Sequence, residues 1–187
     1  EFKIPVVFID RVPEVEGYHK VCLADEDAAR IAAEAIIAKQ KKKVFALFGH
    51  PHLSISKIRH ASLKETIERQ APEIKLSSVF IEGITESEKA TLELMKTKPG
   101  TDVIFCMGDM HLIGVMRAIH HLKLKVPDDI SIISISNGFI PTLYDPKITY
   151  VETSGFKLGK LAFAQMLSCV TNDATPEQVT LASVLVD

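Results

Sequence analysis

The groups in this 187-residue chain with a capacity for chemistry are seven histidines, three cysteines and a scatter of carboxylates and hydroxyls. Their spacing argues against most of that chemistry. His50 and His52 flank a proline, and His111 stands far downstream. A His-x-His pair in a loop lacks the helical i, i+4 spacing of a zinc protease, and no thiol or carboxylate lies at a matching distance, so no metal is expected. Cys22, Cys106 and Cys169 are widely separated and form no Cys-x-x-Cys pair, which reads as reduced thiols in a cytoplasmic protein. Cys106 sits inside an apolar run, where a thiol is an inert core group. There is no Gly-x-Ser-x-Gly elbow, no phosphate loop and no Gly-x-Gly-x-x-Gly turn. An enzyme is therefore disfavoured and no cofactor is expected. What remains is a set of polar residues that each follow an apolar run: Asp10, His50, His52, Glu82, Thr85, Gly108, Asp109, His111, Ser136 and Asn137.

Those residues need elements to position them. Apolar strand-like runs at 4–9, 21–23, 44–48, 77–81, 103–107, 130–135, 148–151 and 178–186 alternate with helical periods at 28–39, 54–70, 86–98, 109–124 and 154–170. Asp25 or Asp27 is the expected N-cap of the first helix. Pro72 stops the second, and Val126–Asp129 forms a turn. A β-α alternation of this kind predicts an α/β fold with a mainly parallel sheet, whose ligands sit beyond the carboxyl ends of the strands.

Composition sets the remaining bounds. With 47% hydrophobic and 25% charged residues the chain is globular and long enough to bury a core. A net charge of −2 argues against a broad nucleic-acid surface on this part. No apolar run is long enough to span a membrane. The one dense charge run, Lys39–Lys43, is expected to offset a helix end rather than to grip phosphate, and His120-His121 to close a later helix in the same way.

Several segments, taken in order, resemble the Lac repressor / galactose repressor family. They are IPVVFIDR (Ile4–Arg11), DEDAARIAAEAII (Asp25–Ile37), KKVFALFG (Lys42–Gly49), SISKIRHASLKETI (Ser54–Ile67), the long run Met107–Ser136 containing VPDDIS, and DPKITYVETSGFKLGKLAFAQML (Asp145–Leu167). The resemblance covers almost the whole chain. It implies a periplasmic-binding-protein-like effector domain of two α/β lobes with a cleft between them. Residues 1–23 would be a remnant of the N-terminal lobe, 24–150 the C-terminal lobe, and 151–187 a return segment with a final strand. It also implies that a helix-turn-helix, a hinge and the first strands of the N-terminal lobe belong before residue 1, and that operator DNA is bound only through them.

The resemblance further implies a regulator that binds a small effector at equilibrium, works as a homodimer in the cytoplasm, and performs no turnover. Arg59 matches the family's effector-binding arginine, Asp10 a cleft carboxylate, and Asp109 the aspartate of Asn-Asp. Ile55, Thr85, His50 and His52 complete the expected cleft. Gly108 stands in place of the usual Asn, and Ser136 and Asn137 in place of the paired acids. With those acids gone, the expected effector shifts from a neutral sugar toward a sugar acid or sugar phosphate. A periplasmic sugar-binding protein of a transport system is the rival expectation, because fold alone does not decide function.

Overall fold

A computed structural model of the chain describes residues 4–98, 100–171 and 175–187. Two sheets are present. The smaller has the order β1-β2-β8, all parallel, from β1 (Val7–Ile9), β2 (His19–Leu23) and β8 (Gln178–Leu181). The larger has the order β4-β3-β5-β6-β7-β9, from β3 (Lys43–Phe48), β4 (Lys75–Phe80), β5 (Val103–Cys106), β6 (Ser131–Ser136), β7 (Thr149–Glu152) and β9 (Val184–Val186). Only β9 runs antiparallel in it, against β7.

The central strands are continuous apolar runs because helices cover both faces. Their alternation shows which residue faces which layer. Val44, Ala46, Phe48, Val103, Phe105, Ile133 and Ile135 join one core under α1 (Asp25–Ala38) and α2 (Ser54–Gln70). Phe45, Leu47, Ile104, Cys106 and Ile132 join the other under α3 (Gly83–Thr97) and α4 (Asp109–His121). The period of two within each strand builds both layers at once. The last helix, α5 (Gly155–Thr171), packs on β1, β2 and β8 instead.

The expected α/β class and mainly parallel sheet are present, with local differences. The first strand forms only over Val7–Ile9, and β2 begins at His19, two residues before its apolar run. The N-cap of α1 is Ala24, so Asp25 and Asp27 lie in the first turn, where carboxylates complement the helix dipole without capping it. Between the expected strands 130–135 and 148–151 the chain forms a 3₁₀ turn, Ile140–Leu143. The expected single strand 178–186 is two strands in two different sheets. His120 and His121 lie in the last turn of α4, as expected; of the run Lys39–Lys43 only Lys39 meets the end of α1, as its C-cap residue, because the helix ends at Ala38 and Lys43 already opens β3.

Helices α3 and α4 meet at Gly114. A β-carbon there would lie 2.3 Å from the Ile84 carbonyl oxygen and 2.6 Å from Ser87 Cβ, both on or beside fixed backbone. Gly114→Ala is expected to destabilise by about 1–3 kcal/mol through overpacking, lowering Tm by several degrees. Gly159→Ala, whose β-carbon meets nothing within 4 Å in α5, should leave Tm unchanged or raise it, because Ala is the better helix former. Calorimetric melting of the two variants checks the contrast in sign.

Candidate functional site

Strand β3 is followed in the chain by β4 on one side and β5 on the other. Connections therefore diverge between β3 and β5, the point at which open α/β sheets leave a crevice. Gly49 follows β3 there, and Met107 follows β5. Arg59, on the buried face of α2 and only 5% exposed, fills the space between. Its Nη1 donates to the Met107 carbonyl oxygen at 2.7 Å, and its Nε donates to Asp25 Oδ1 at 2.8 Å. Nη2 meets the same oxygen at 2.6 Å. Asp25 opens α1 directly after β2 and Ala24, and the Ala24 N–H is held by the Leu181 carbonyl. One guanidinium thus ties the exit of the smaller sheet to the end of a central strand in the larger one. Leaving either charge buried alone would cost about 3–5 kcal/mol.

The surroundings are close-packed. A β-carbon on Gly49 would stand 3.1 Å from Met107 Cε and 3.2 Å from Ser56 Oγ. Ser56 is fully buried one turn before Arg59, and its hydroxyl has no partner among the described residues. His111, also buried, turns Nε2 toward the Ile81 carbonyl oxygen at 3.2 Å. Burial holds its pKa below the ordinary value, against the pull of the Ile81 and Phe48 backbone groups.

A cavity of about 660 Å³ opens beside the ion pair. Asp25 forms part of its wall, together with Asp10, Lys20, Cys22, Ile55 and Thr180. Arg59 stands behind Asp25 and does not line it. Asp10 reaches the wall because its backbone adopts φ +67°, a left-handed turn that aspartate tolerates better than most residues. Six carboxylates and four cationic side chains line the cavity, so its walls are net acidic. One of the four cations, Arg30, is paired with Asp27 and Glu34.

Of the ten residues expected in the cleft, Asp10 and Ile55 line the cavity and Arg59 touches its wall through Asp25. Asp109, Ser136 and Asn137 do come together, but with one another. The Ser136 hydroxyl donates to Asp109, the Asn137 N–H reaches the same carboxylate at 3.4 Å, and Ser136 Oγ accepts from the Gly138 N–H at 3.0 Å. Asn137 Oδ1 accepts from the Phe139 N–H at 3.0 Å. Gly108 is the N-cap position of α4, so Asp109 is not the cap but a tie from α4 to the end of β6. His50 and His52 are exposed, with ring centroids 5.1 Å apart, and the His52 N–H points to His50 Nδ1 at 3.3 Å. Thr85 is exposed in the first turn of α3. No three metal-ligating side chains gather among the described residues. Asp25, to which local reading gave only a capping role, stands on the cavity wall as the partner of Arg59. It has the same signature as the others, a polar residue just past a strand, but capping had already been assigned to it.

Comparison with known proteins places this geometry in context. Residues 33–187 match the family described as periplasmic binding protein-like domain. The ribose operon repressor of Halalkalibacterium halodurans is 28% identical over 163 residues, 87% of this chain and 48% of that protein. The HTH-type transcriptional repressor PurR of Vibrio atlanticus is 25% identical over 88% of this chain and 50% of its own length. The chain thus spans about half the length of the curated relatives it matches. Among solved structures, a LacI family transcription regulator from Clostridium acetobutylicum superposes with TM-score 0.88 at 19% identity, over 99% of this chain and 70% of that one. A LacI family regulator from Enterococcus faecalis, solved with bound ribose, superposes with TM-score 0.82 at 21% identity, over 98% of this chain and 67% of that one. No helix among the described residues is long and apolar enough to cross a membrane.

The depressed pKa of His111 makes stability depend on pH. Burial disfavours its protonated form in the folded state, while the unfolded chain protonates it near pH 6.5. Its contribution is whole above that value and declines as pH falls toward the lower folded value. His60, lowered by burial and by Lys64, acts in the same direction. The urea midpoint is expected to fall between pH 7.5 and 5.5, and His111→Gln, which keeps a donor for the Ile81 carbonyl, should shrink that fall. An unchanged pH dependence in the variant would refute the assignment.

Proposed function

Because this chain belongs to the periplasmic binding protein-like domain family, we propose that it is the ligand-sensing part of a bacterial LacI-type transcriptional regulator. The observation that carries the proposal is the Arg59–Asp25–Met107 junction at the strand-order reversal, beside a cavity of about 660 Å³. That volume suits a monosaccharide with its water. The effector we infer is a neutral sugar of pentose size. Relatives and neighbours include a ribose operon repressor and regulators solved with ribose or D-xylulofuranose. Arg59 holds Asp25 at the cavity wall, and Asp25 supplies the carboxylate whose absence at Ser136 and Asn137 had favoured an acidic effector.

The two sheets are taken as parts of the two lobes, with 24–150 as the bulk of one. An effector at the junction touches Asp25, which directly follows β2 of the smaller sheet, and residues packed on the larger. Preferential binding to one lobe orientation then biases DNA binding by a helix-turn-helix outside these residues. The shift is limited by the difference in affinity between the two orientations. The regulator works as a homodimer in the cytoplasm. This is equilibrium chemistry and needs no cofactor.

Thermal melting with D-ribose, D-ribonate and D-ribose 5-phosphate tests the proposal. A saturating effector, at about 100 times its Kd, stabilises by about 2.7 kcal/mol, a rise of several degrees in Tm. Arg59→Gln, folded by circular dichroism, removes the group that holds Asp25 in place and should show a smaller rise. If no ligand shifts the wild type, the sugar-sensing assignment fails.

A further inference from the structure

We propose that Asp25 is the charge filter of this cavity, masking Arg59 so that neutral polyols enter and anionic sugars are refused. The inference rests on the assignment of the cavity to a sugar effector and adds what sets its selectivity. The geometry carries it. Arg59 is the buried partner, with its side chain 6% exposed, and Asp25 the outer one at 19%. Asp25 forms the cavity wall while Arg59 does not reach it. A ligand therefore meets the carboxylate before the guanidinium.

The two oxygens of Asp25 differ. Oδ1 takes both contacts from Arg59, through Nε and Nη2. Oδ2 makes no hydrogen bond among the described residues, so its accepting capacity remains for a ligand hydroxyl. Arg59 spends its third contact on the Met107 carbonyl, so its charge is compensated on two sides. An incoming carboxylate or phosphate would meet Asp25 on a wall that carries six carboxylates against four cations. A neutral sugar hydroxyl donates to Oδ2 and meets no repulsion. Hydrogen bonds to a charged group change affinity by roughly tenfold or more, so one carboxylate in this position suffices to set the preference.

Isothermal titration of the purified protein with D-ribose and D-ribonate reads this directly. Wild type should bind ribose at least about tenfold more tightly than ribonate. Asp25→Asn should weaken ribose by a similar factor and strengthen ribonate, narrowing or reversing the preference. Should the unpaired arginine keep Asp25→Asn from folding, the uncharged double variant Asp25→Asn/Arg59→Gln takes its place, and its preference for ribose over ribonate should collapse toward equality. Ribonate binding more tightly than ribose to wild type would overturn the filter while leaving the effector cavity in place. So would a folded variant of either kind that keeps the wild-type preference. Silence of wild type toward both ligands removes the sugar assignment itself, and the filter with it.

Discussion

A guanidinium cannot be buried without neutralisation, and Arg59 is buried. Its three contacts, two to Asp25 and one to Met107, satisfy that requirement and dictate much around them. Asp25 must open α1 immediately after β2, so the chain has to leave the smaller sheet beside α2. The end of β5 must present a carbonyl to the same nitrogen cluster. Gly49 leaves room for Met107 and Ser56, which a β-carbon there would crowd by a few tenths of an ångström. Arg59 lies buried on the inner side of this polar knot, where low local polarity strengthens its contacts, while Asp25 keeps one face toward the cavity. The cavity inherits its character from the same knot: a carboxylate in front and a cation behind.

Much of the fold was legible in the sequence, for physical reasons. Helix α2 runs over Ser54–Gln70 as expected, and Ala71-Pro72 stops it, although its buried face is mostly polar: Ser56, Arg59, Ser62 and Thr66 beside Leu63 and Ile67. Strands β3, β5 and β6 are buried on both faces, so their apolar runs stand out. The final segment was misread because Gln178–Val186 contains no strong breaker, and only pairing partners reveal that Leu181 and Val184 belong to different sheets. Register and sheet membership are tertiary facts that alternation alone cannot carry.

Part of the cavity wall was legible in the sequence: Asp10 and Ile55, on the wall, and Arg59, behind it, came from the strand-end residues or from the family resemblance. Thr85 was drawn from the same pool, but it follows β4, the edge strand, and does not line the cavity. Ser136, Asn137 and Asp109 stand at the carboxyl ends of adjacent strands and find each other, which leaves less of their hydrogen-bonding capacity free. Asp25 was given only a capping role because a carboxylate in a first helical turn already has a sufficient local explanation. One-dimensional reasoning assigns each polar group a single role, while a folded chain lets the dipole of α1, the charge of Arg59 and the wall of a cavity share one carboxylate.

The division of the last segment has a mechanical meaning. The chain passes between the sheets after β2, after β7 and again between β8 and β9, and the Ala24 N–H to Leu181 carbonyl bond places the first and last passages side by side. All three leave from the carboxyl ends of their strands. Two bodies joined by several short neighbouring straps cannot slide or spin freely, and what remains to them is a flexure about the line of the straps. Asp25 sits one residue past the first strap. A molecule a few ångströms across, lodged there, works close to the fulcrum, where a small change in spacing becomes a large displacement at the far rim.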